Sequence, residues 1–240
     1  MVVVFASDVH LTPERPDISE RFFSFLEKQA GQVDALYLLG DLFEAWVGDD
    51  DDDEFAELVK QKLRVLSDSG VAVYLMHGNR DFLIGKQFAA ASGCQLIDDP
   101  ARLELYGETV LLSHGDALCT DDFEYQEFRK EVRDPQWQKR FLAKSLAERR
   151  AFARQARDAS AHYQQQQSAE TGDVNQQAVE TLMTGQQVSL LLHGHTHRPA
   201  VHDFKLQNGV AAQRIVLGAW YEQGSMVRWD KNGIQLLQLN

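Results

Sequence analysis

Cysteine is scarce in this chain. Cys94 and Cys119 are the only thiols in 240 residues, which excludes a disulfide framework and makes a reducing cytosol the expected compartment. Long apolar runs are also lacking, and no window approaches the roughly 18 uncharged residues of a membrane span. The opening MVVVFASD has no basic segment and meets Asp8 after a short apolar run, unlike a secretory leader. Several catalytic signatures are missing as well: no H-E-x-x-H, no G-x-S-x-G, and no G-x-G-x-x-G after a strand. The stretch from Gly78 to Gly85-Lys86-Gln87 is too long for a phosphate loop and has no Ser or Thr after its lysine. What remains is 44% hydrophobic and 25% charged, the balance of a folded globular chain with enough length for one large core.

The formal charge of −12 is unevenly spread. Between Arg129 and Arg157, ten basic residues face three acids, so this segment is +7 and the remainder −19. Such an acidic remainder argues against a nucleic-acid partner. The basic stretch reads either as a solvated helical face or as a surface for an anionic ligand or lipid headgroups.

The first half alternates strands and helices. Residues 2–6, 35–39 and 71–76 are short apolar runs closed by polar residues or glycine, which predicts buried strands. Between them, Ile18, Phe22, Phe25 and Leu26, then Phe55, Leu58, Val59, Leu63 and Leu66, recur at helical spacing. Asp17 with Glu20 predicts a capping box for the first helix, and the Asp49–Asp53 run with Glu54 predicts a solvated loop and helix start. After Gly93 come short strands near 94–97, 102–106 and 109–113, then one long glycine-free helical stretch from Asp121 to about Ala169. A helix after Gly172 and strands near 188–193, 200–204, 213–217, 225–229 and 234–239 complete the chain. The fold class is α/β (α+β): parallel strand–helix units interrupted by a helical insertion at about 121–169, within a single domain 1–240.

Five short segments place Asp, Asn or His just past a predicted strand: Asp8-Val9-His10, Gly40-Asp41, Gly78-Asn79-Arg80-Asp81, His114-Gly115-Asp116 and Gly194-His195-Thr196-His197. Ligand sites in open α/β sheets collect at the carboxyl ends of strands. Asp8, His10, Asp41, Asn79, His114, His195 and His197 supply seven oxygen or imidazole donors and no thiolate, which suits Mn, Fe, Zn or Mg. Two divalent ions sharing one bridging carboxylate and a water would use all seven. The crowd of acids (Asp8, Asp41, Glu44, Asp116, Asp122) would repel a phosphate by about 4 kcal/mol per charge pair at 4 Å; two divalent cations reverse that sign. Taken singly, D-x-H is a weak signal, G-D and G-N are common turns, and His77, His162, His193 and His202 read as core histidines. The five blocks together read as a dinuclear metal centre.

These blocks resemble the calcineurin-like metallophosphoesterases, a family whose fold is two mixed sheets between helices. LGDLFEAWVGDD (39–50), HGNRDFLIGKQF (77–88), HGDALCTDD (114–122), LHGHTHRPAVH (192–202) and VLGAW (216–220) are similar to a bacterial branch of that family, which acts on UDP-2,3-diacylglucosamine in lipid A biosynthesis. The likeness spans essentially the whole chain and is weakest over 129–171. It implies one ion on Asp8, His10, Asp41 and His197, and another on Asp41, Asn79, His114 and His195, with Mn²⁺ the leading metal. It implies substrate contacts at Asn79, Arg80, Asp122, Ser160 and His195, and attack of metal-bound hydroxide on the α-phosphorus to give UMP and 2,3-diacylglucosamine 1-phosphate. It further implies that the insertion is a lid over acyl chains, and that the protein works in the cytoplasm, peripherally on the inner-membrane face, with no protein partner. Gln164 and Gln167 depart from the branch's pattern, which often has a smaller polar residue and a lysine there; Arg157 or another lid arginine is the expected substitute cation.

Lid aromatics and apolar residues (Tyr125, Phe128, Trp137, Phe141, Leu142, Leu146, Phe152) are expected to meet the acyl chains, with Trp46 and Phe82 completing that wall or serving as core. Arg80 is expected on a metal-bound phosphate rather than in a salt bridge with Asp81. Cys119 lies close to the site and reads as a small core residue. Two rival readings stand beside this one: a metallophosphoesterase for a soluble nucleotide, cyclic nucleotide or phosphoprotein, and a non-catalytic module with a decayed metal site.

Overall fold

The computed structural model describes residues 1–166 and 172–239, with the side chains of 160–166 excepted. Four parallel strands begin the chain: β1 (Val3–Ala6), β2 (Ala35–Leu39), β3 (Ala72–Met76) and β4 (Cys94–Ile97), linked by α1 (Pro16–Gln29), α2 (Glu54–Asp68) and α3 (Lys86–Ser92). Then come β5 (Ala101–Leu105) and β6 (Glu108–Ser113), and the insertion helices α4 (Phe123–Val132), α5 (Pro135–Leu142) and α6 (Leu146–Gln166). The chain finishes with α7 (Gln176–Gly185) and β7 (Leu190–His193), β8 (Ala200–Lys205), β9 (Ala211–Val216), β10 (Ser225–Asp230) and β11 (Gly233–Gln238).

Two mixed sheets result, in the orders β11-β10-β1-β2-β3-β4 and β5-β6-β7-β9-β8. Val3, Phe5, Leu39, Leu112, Leu192, Ile215 and Val227 fill the space between the sheets. Alternate residues of β1 and β2 (Val4, Leu36, Leu38) face outward and pack with Ile18, Phe22, Val59 and Leu63 of α1 and α2. Both faces of β1 and β2 are therefore covered, which is why their sequences are unbroken apolar runs. Leu111 and Leu191 of the other sheet pack on Val179 and Met183 of α7.

Several local expectations need correction. Asp17 is no cap: Pro16 opens α1, Arg15 takes the cap position without a side-chain bond, and Asp17 lies in the first turn, gripped by Arg15. Proline at the first helical position sets the start there, two residues earlier than the capping-box reading. The long helical stretch is three helices, broken where Asp134 caps α5 through Gln136 N and Trp137 N. The second break lies where Ser145 and Glu148 form a reciprocal capping box at α6.

The acidic run does start α2 at Glu54, and Asp50 and Asp52 stay exposed, but the loop also caps and docks. Asp49 caps α3 through Gln87 N and Phe88 N, and Asp53 caps α2 through Phe55 N. Asp50 receives Arg149, while Asp51 and Asp52 receive Arg150. Part of the insertion's positive charge is thus spent on docking α6 to the loop before α2. Trp137 and Phe152, with buried Phe141, join the outer core against Trp46 and Phe88.

Among the histidines read as core, His193 is fully buried and His77 bonds the Ile84 carbonyl at 2.7 Å. His202 is exposed on β8, the edge strand of its sheet, where no further strand flanks it. His162 lies outside the described side chains. Cys94 and Cys119 are both buried, and burial pushes their thiols up to about 11 and about 12.

Candidate metal centre

All seven donors sit past the carboxyl ends of five parallel strands: Asp8 and His10 after β1, Asp41 after β2, Asn79 after β3, His114 after β6, and His195 and His197 after β7. The two sheets meet at this edge, where His114 Nδ1, just past β6, lies 2.9 Å from the carbonyl of Leu39 at the end of β2. Close approach requires glycine. A Cβ on Gly40, whose φ is +91°, would stand 2.6 Å from both Gly78 Cα and His114 Nδ1. Asp8, His10, Asp41, His195 and His197 all have positive φ, between 51° and 66°. Five non-glycine residues in the left-handed region cost about 1 kcal/mol or more each, and they occur here at the residues that carry the donors.

The carboxylates are held by backbone amides. His195 N donates to Asp8 Oδ2 at 2.9 Å, leaving Oδ1 buried and without a hydrogen-bond partner. That free oxygen lies 3.4 Å from His197 Nε2 and 4.0 Å from His10 Nε2, while the two Nε2 atoms are 3.1 Å apart. Arg80 N donates to Asp41 Oδ1 at 2.8 Å. The Asp41 carboxylate lies between two imidazoles, 3.9 Å from His10 Nε2 and 3.7 Å from His114 Nε2. Asn79 Oδ1 stands 3.0 Å from His114 Nε2 and 2.9 Å from His195 Nδ1.

This arrangement fits cations. His114 Nδ1 donates to the Leu39 carbonyl at 2.9 Å, so in the neutral ring Nε2 is a bare lone pair facing the oxygens of Asn79 and Asp41. Acceptors converging without a donor are repulsive unless a positive charge sits among them. Burial works against a charged His114, yet Asp41, Asp8 and Asp116 outweigh it and lift its pKa to about 9. His195 goes the other way: burial, reinforced by His114, pushes it down to about 3 and keeps the ring neutral, the form in which it could ligate a cation. Two clusters could each hold an ion, Asp8 with His10 and His197, and Asp8 with Asp41 and His114.

Further residues support the donors, and the sequence reading missed their roles. Glu44 Oε2 lies 3.1 Å from His10 Nδ1 and orients that ring. Tyr221, one residue beyond the VLGAW block, stacks on His10 with ring centres 5.0 Å apart. Asp116 is fully buried, with Oδ2 accepting Tyr125 Oη at 2.6 Å and Arg129 Nε at 2.8 Å. Arg133 donates to the Gly78 carbonyl at 2.9 Å, and Tyr125 stacks near His195 at 5.9 Å. Tyr125, Arg129 and Arg133 recur at i, i+4, i+8, so one face of α4 is bolted to three donor loops. The spacing was readable; its target was not.

Of the expected substrate contacts, Asn79, Arg80 and His195 are at the centre. The Arg80 guanidinium makes no hydrogen bond or ion pair among the described residues. Asp81 does not pair with it, being buried and bonded to Leu42 N and Gly78 N. Asp122 caps α4 through Tyr125 N at 3.0 Å. The side chains of Ser160 and Gln164, and all of Gln167, lie outside the described residues. Beside the centre, a cavity of about 350 Å³ runs beneath the insertion, walled by Trp46, Phe82, Phe128, Trp137 and Phe152, with Asn79, Arg80 and Arg157 also lining it.

Such a sandwich, with its donors on the strand ends, defines a class. The calcineurin-like phosphoesterase family model matches residues 1–199, and the chain belongs to that family. A solved archaeal phosphodiesterase shares the fold over 100% of both chains at a TM-score of 0.50 and 11% identity. Among curated proteins, the UDP-2,3-diacylglucosamine hydrolase of Stenotrophomonas maltophilia (strain K279a) is 49% identical over 243 residues, covering 98% of each chain. The enzyme of the same name from Escherichia coli O7:K1 (strain IAI39 / ExPEC) is 47% identical, covering 99% of this chain and 98% of its own.

Proposed function

We propose that this protein hydrolyses the pyrophosphate of UDP-2,3-diacylglucosamine, releasing UMP and 2,3-diacylglucosamine 1-phosphate. The observation that carries the reading is the junction of a seven-donor centre with an apolar cavity under a basic helical insertion. A small soluble substrate needs no such cavity, whereas two acyl chains do. The near-full-length similarity to enzymes named for this reaction supports it.

Asp8, His10, Asp41 and His197 would hold one divalent ion, and Asp41, Asn79, His114 and His195 the other, with Mn²⁺ the leading candidate. Bound there, the pair would supply Lewis acidity and an activated water. The chain's own residues do the rest. Arg80, unpaired at the cavity, binds a phosphate oxygen with its planar fork. Asn79 and His195, with Asp122 and Ser160, position the sugar phosphate. Tyr125, Trp46 and Phe82 exclude bulk water from the reacting side.

The insertion at about 121–169 acts as a lid within one catalytic domain 1–240. α5 and the turn after it expose Leu142 together with Lys139, Arg140 and Lys144, and α4 exposes Phe123, Phe128 and Lys130 beside Glu124, Glu127 and Glu131; the α5 end is the part suited to the anionic inner-membrane surface from the cytoplasmic side. Among the described residues no helix is long and apolar enough to cross a membrane. The test is turnover of UDP-2,3-diacylglucosamine against UDP-N-acetylglucosamine, with Mn²⁺ and after chelation. Strong preference for the acylated substrate, lost with the metal, is expected; equal turnover of both contradicts the reading.

A further inference from the structure

A second cavity, of about 230 Å³, adjoins the first and shares Glu44, Trp46 and Arg157 with it. Its character is opposite. One wall is α6, where Arg150, Arg154 and Arg157 follow at i, i+4 and i+7 on a single face. The facing wall is the loop that continues from His10, with Thr12 and Glu14, and beyond it Phe55.

The three arginines are not equivalent. Arg150 is consumed by Asp51 and Asp52. Arg154 and Arg157 make no hydrogen bond or ion pair among the described residues; the Thr12 hydroxyl lowers the Glu14 carboxyl, and His10, against the opposing effect of burial, lowers that of Glu44, with Arg157 adding a small share to each. Two guanidinium groups unpaired among the described residues, held over a cavity of mixed polar and apolar lining next to the donor cluster, are a recognition surface. The proposed substrate has two unlike halves joined at the scissile anhydride, and the apolar cavity accounts for only one.

Resting on the function read above, we propose that this second cavity seats the nucleoside half of the substrate, with Arg154 as its specificity-determining cation. The chemistry matches at each point. A pyrimidine-dione ring offers carbonyl oxygens that accept from guanidinium, and has no cation of its own to repel it. A ribose diol donates to a carboxylate, which Glu14 supplies. Phe55 gives the ring an apolar wall. Arg157, lining both cavities, is placed between the halves, where the phosphates lie.

Product inhibition tests the assignment, because the two products separate the two cavities. Arg154→Ala and Glu14→Gln are each to be compared with wild type for inhibition by UMP, by 2,3-diacylglucosamine 1-phosphate and by inorganic phosphate. Both side chains are outside the core, so thermal midpoints should stay at the wild-type value. The expected result is an inhibition constant for UMP raised about tenfold or more in Arg154→Ala and severalfold in Glu14→Gln, with the other two inhibitors unaffected. Unchanged UMP inhibition in both variants overturns the proposal. So does weakening of inorganic phosphate in parallel with UMP, which would place Arg154 on the phosphate, or of all three inhibitors together, which would mark general damage. A wild-type protein that leaves UDP-2,3-diacylglucosamine intact overturns the function itself, and the nucleoside assignment with it.

Discussion

Replacing Arg149 with methionine should release the far end of the insertion while leaving the sandwich folded. Arg149 is 2% exposed, and its guanidinium donates to the Lys144 carbonyl at 3.1 Å, the Val47 carbonyl at 2.7 Å and both oxygens of Asp50 at 2.8 and 2.5 Å. Methionine keeps most of the apolar stem and removes every one of these bonds. Breaking a wholly buried ion pair costs about 3–5 kcal/mol, but Asp50 is 60% exposed and regains water, so its share falls to about 1 kcal/mol. The two carbonyls left without their donor add about 1 kcal/mol each. The Lys144 share is internal to the insertion, so its docking weakens by about 2 kcal/mol, between one and two orders of magnitude. Hydrogen exchange read by mass spectrometry should show faster exchange over residues 135–157 and unchanged protection in β1, β2 and β7. Arg149→Lys should recover only part of it, since one ammonium cannot reproduce the fork. Unaltered exchange over 135–157 in Arg149→Met would refute the claim that this residue anchors the insertion.

Other outcomes follow from the same contacts. The Arg149 and Arg150 hydrogen bonds hold the carboxyls of Asp50 and Asp52 below their ordinary range, so this docking is complete above about pH 4 and is lost as pH falls through the lowered values; protection of α6 should be flat from pH 5 to 8 and collapse in acid. Gly40→Ala, forced against Gly78 and His114 at a positive φ, should cost about 1–3 kcal/mol by denaturant titration and weaken metal binding measured by calorimetry. Asp116→Asn removes the charge that Arg129 and Tyr125 share and should lower stability by about 3 kcal/mol, with the thermal midpoint as readout. Chelation should depress the midpoint of the wild-type protein, because the buried Asp8 and Asp41 then face each other without a cation, and added Mn²⁺ should restore it in a concentration-dependent way.

The inner strands were legible because burial on both faces writes itself as unbroken apolar runs; β2 begins and ends where its sequence predicts. The donors were legible for a related reason. Residues that must leave a strand end, turn sharply and point inward favour glycine beside Asp, Asn or His, and that pairing occurs in four of the five loops. The insertion's breaks were also written, as Asp134-Pro135 and as Ser145 with Glu148, but the absence of glycine masked them. Contacts between distant charges were not legible. Asp50 and Arg149 lie 99 residues apart, and either run alone reads as a solvated face. The same holds for Tyr221 over His10 and for Arg133 on the Gly78 carbonyl, where nothing local distinguishes a supporting side chain from a surface one. His202 shows the converse error, a histidine in an apolar-looking strand that turned out to lie on an uncovered edge.

The claim beneath the whole account is that five strand-end loops assemble a site for two cations sharing Asp41. Electron paramagnetic resonance of the Mn²⁺-loaded protein, with metal content determined on the same sample, tests it most directly. The account predicts two ions per chain with the exchange coupling of a pair about 3.5–4 Å apart, and Asp41→Asn should abolish the coupling. A single ion per chain, or two that behave as magnetically isolated, would contradict it.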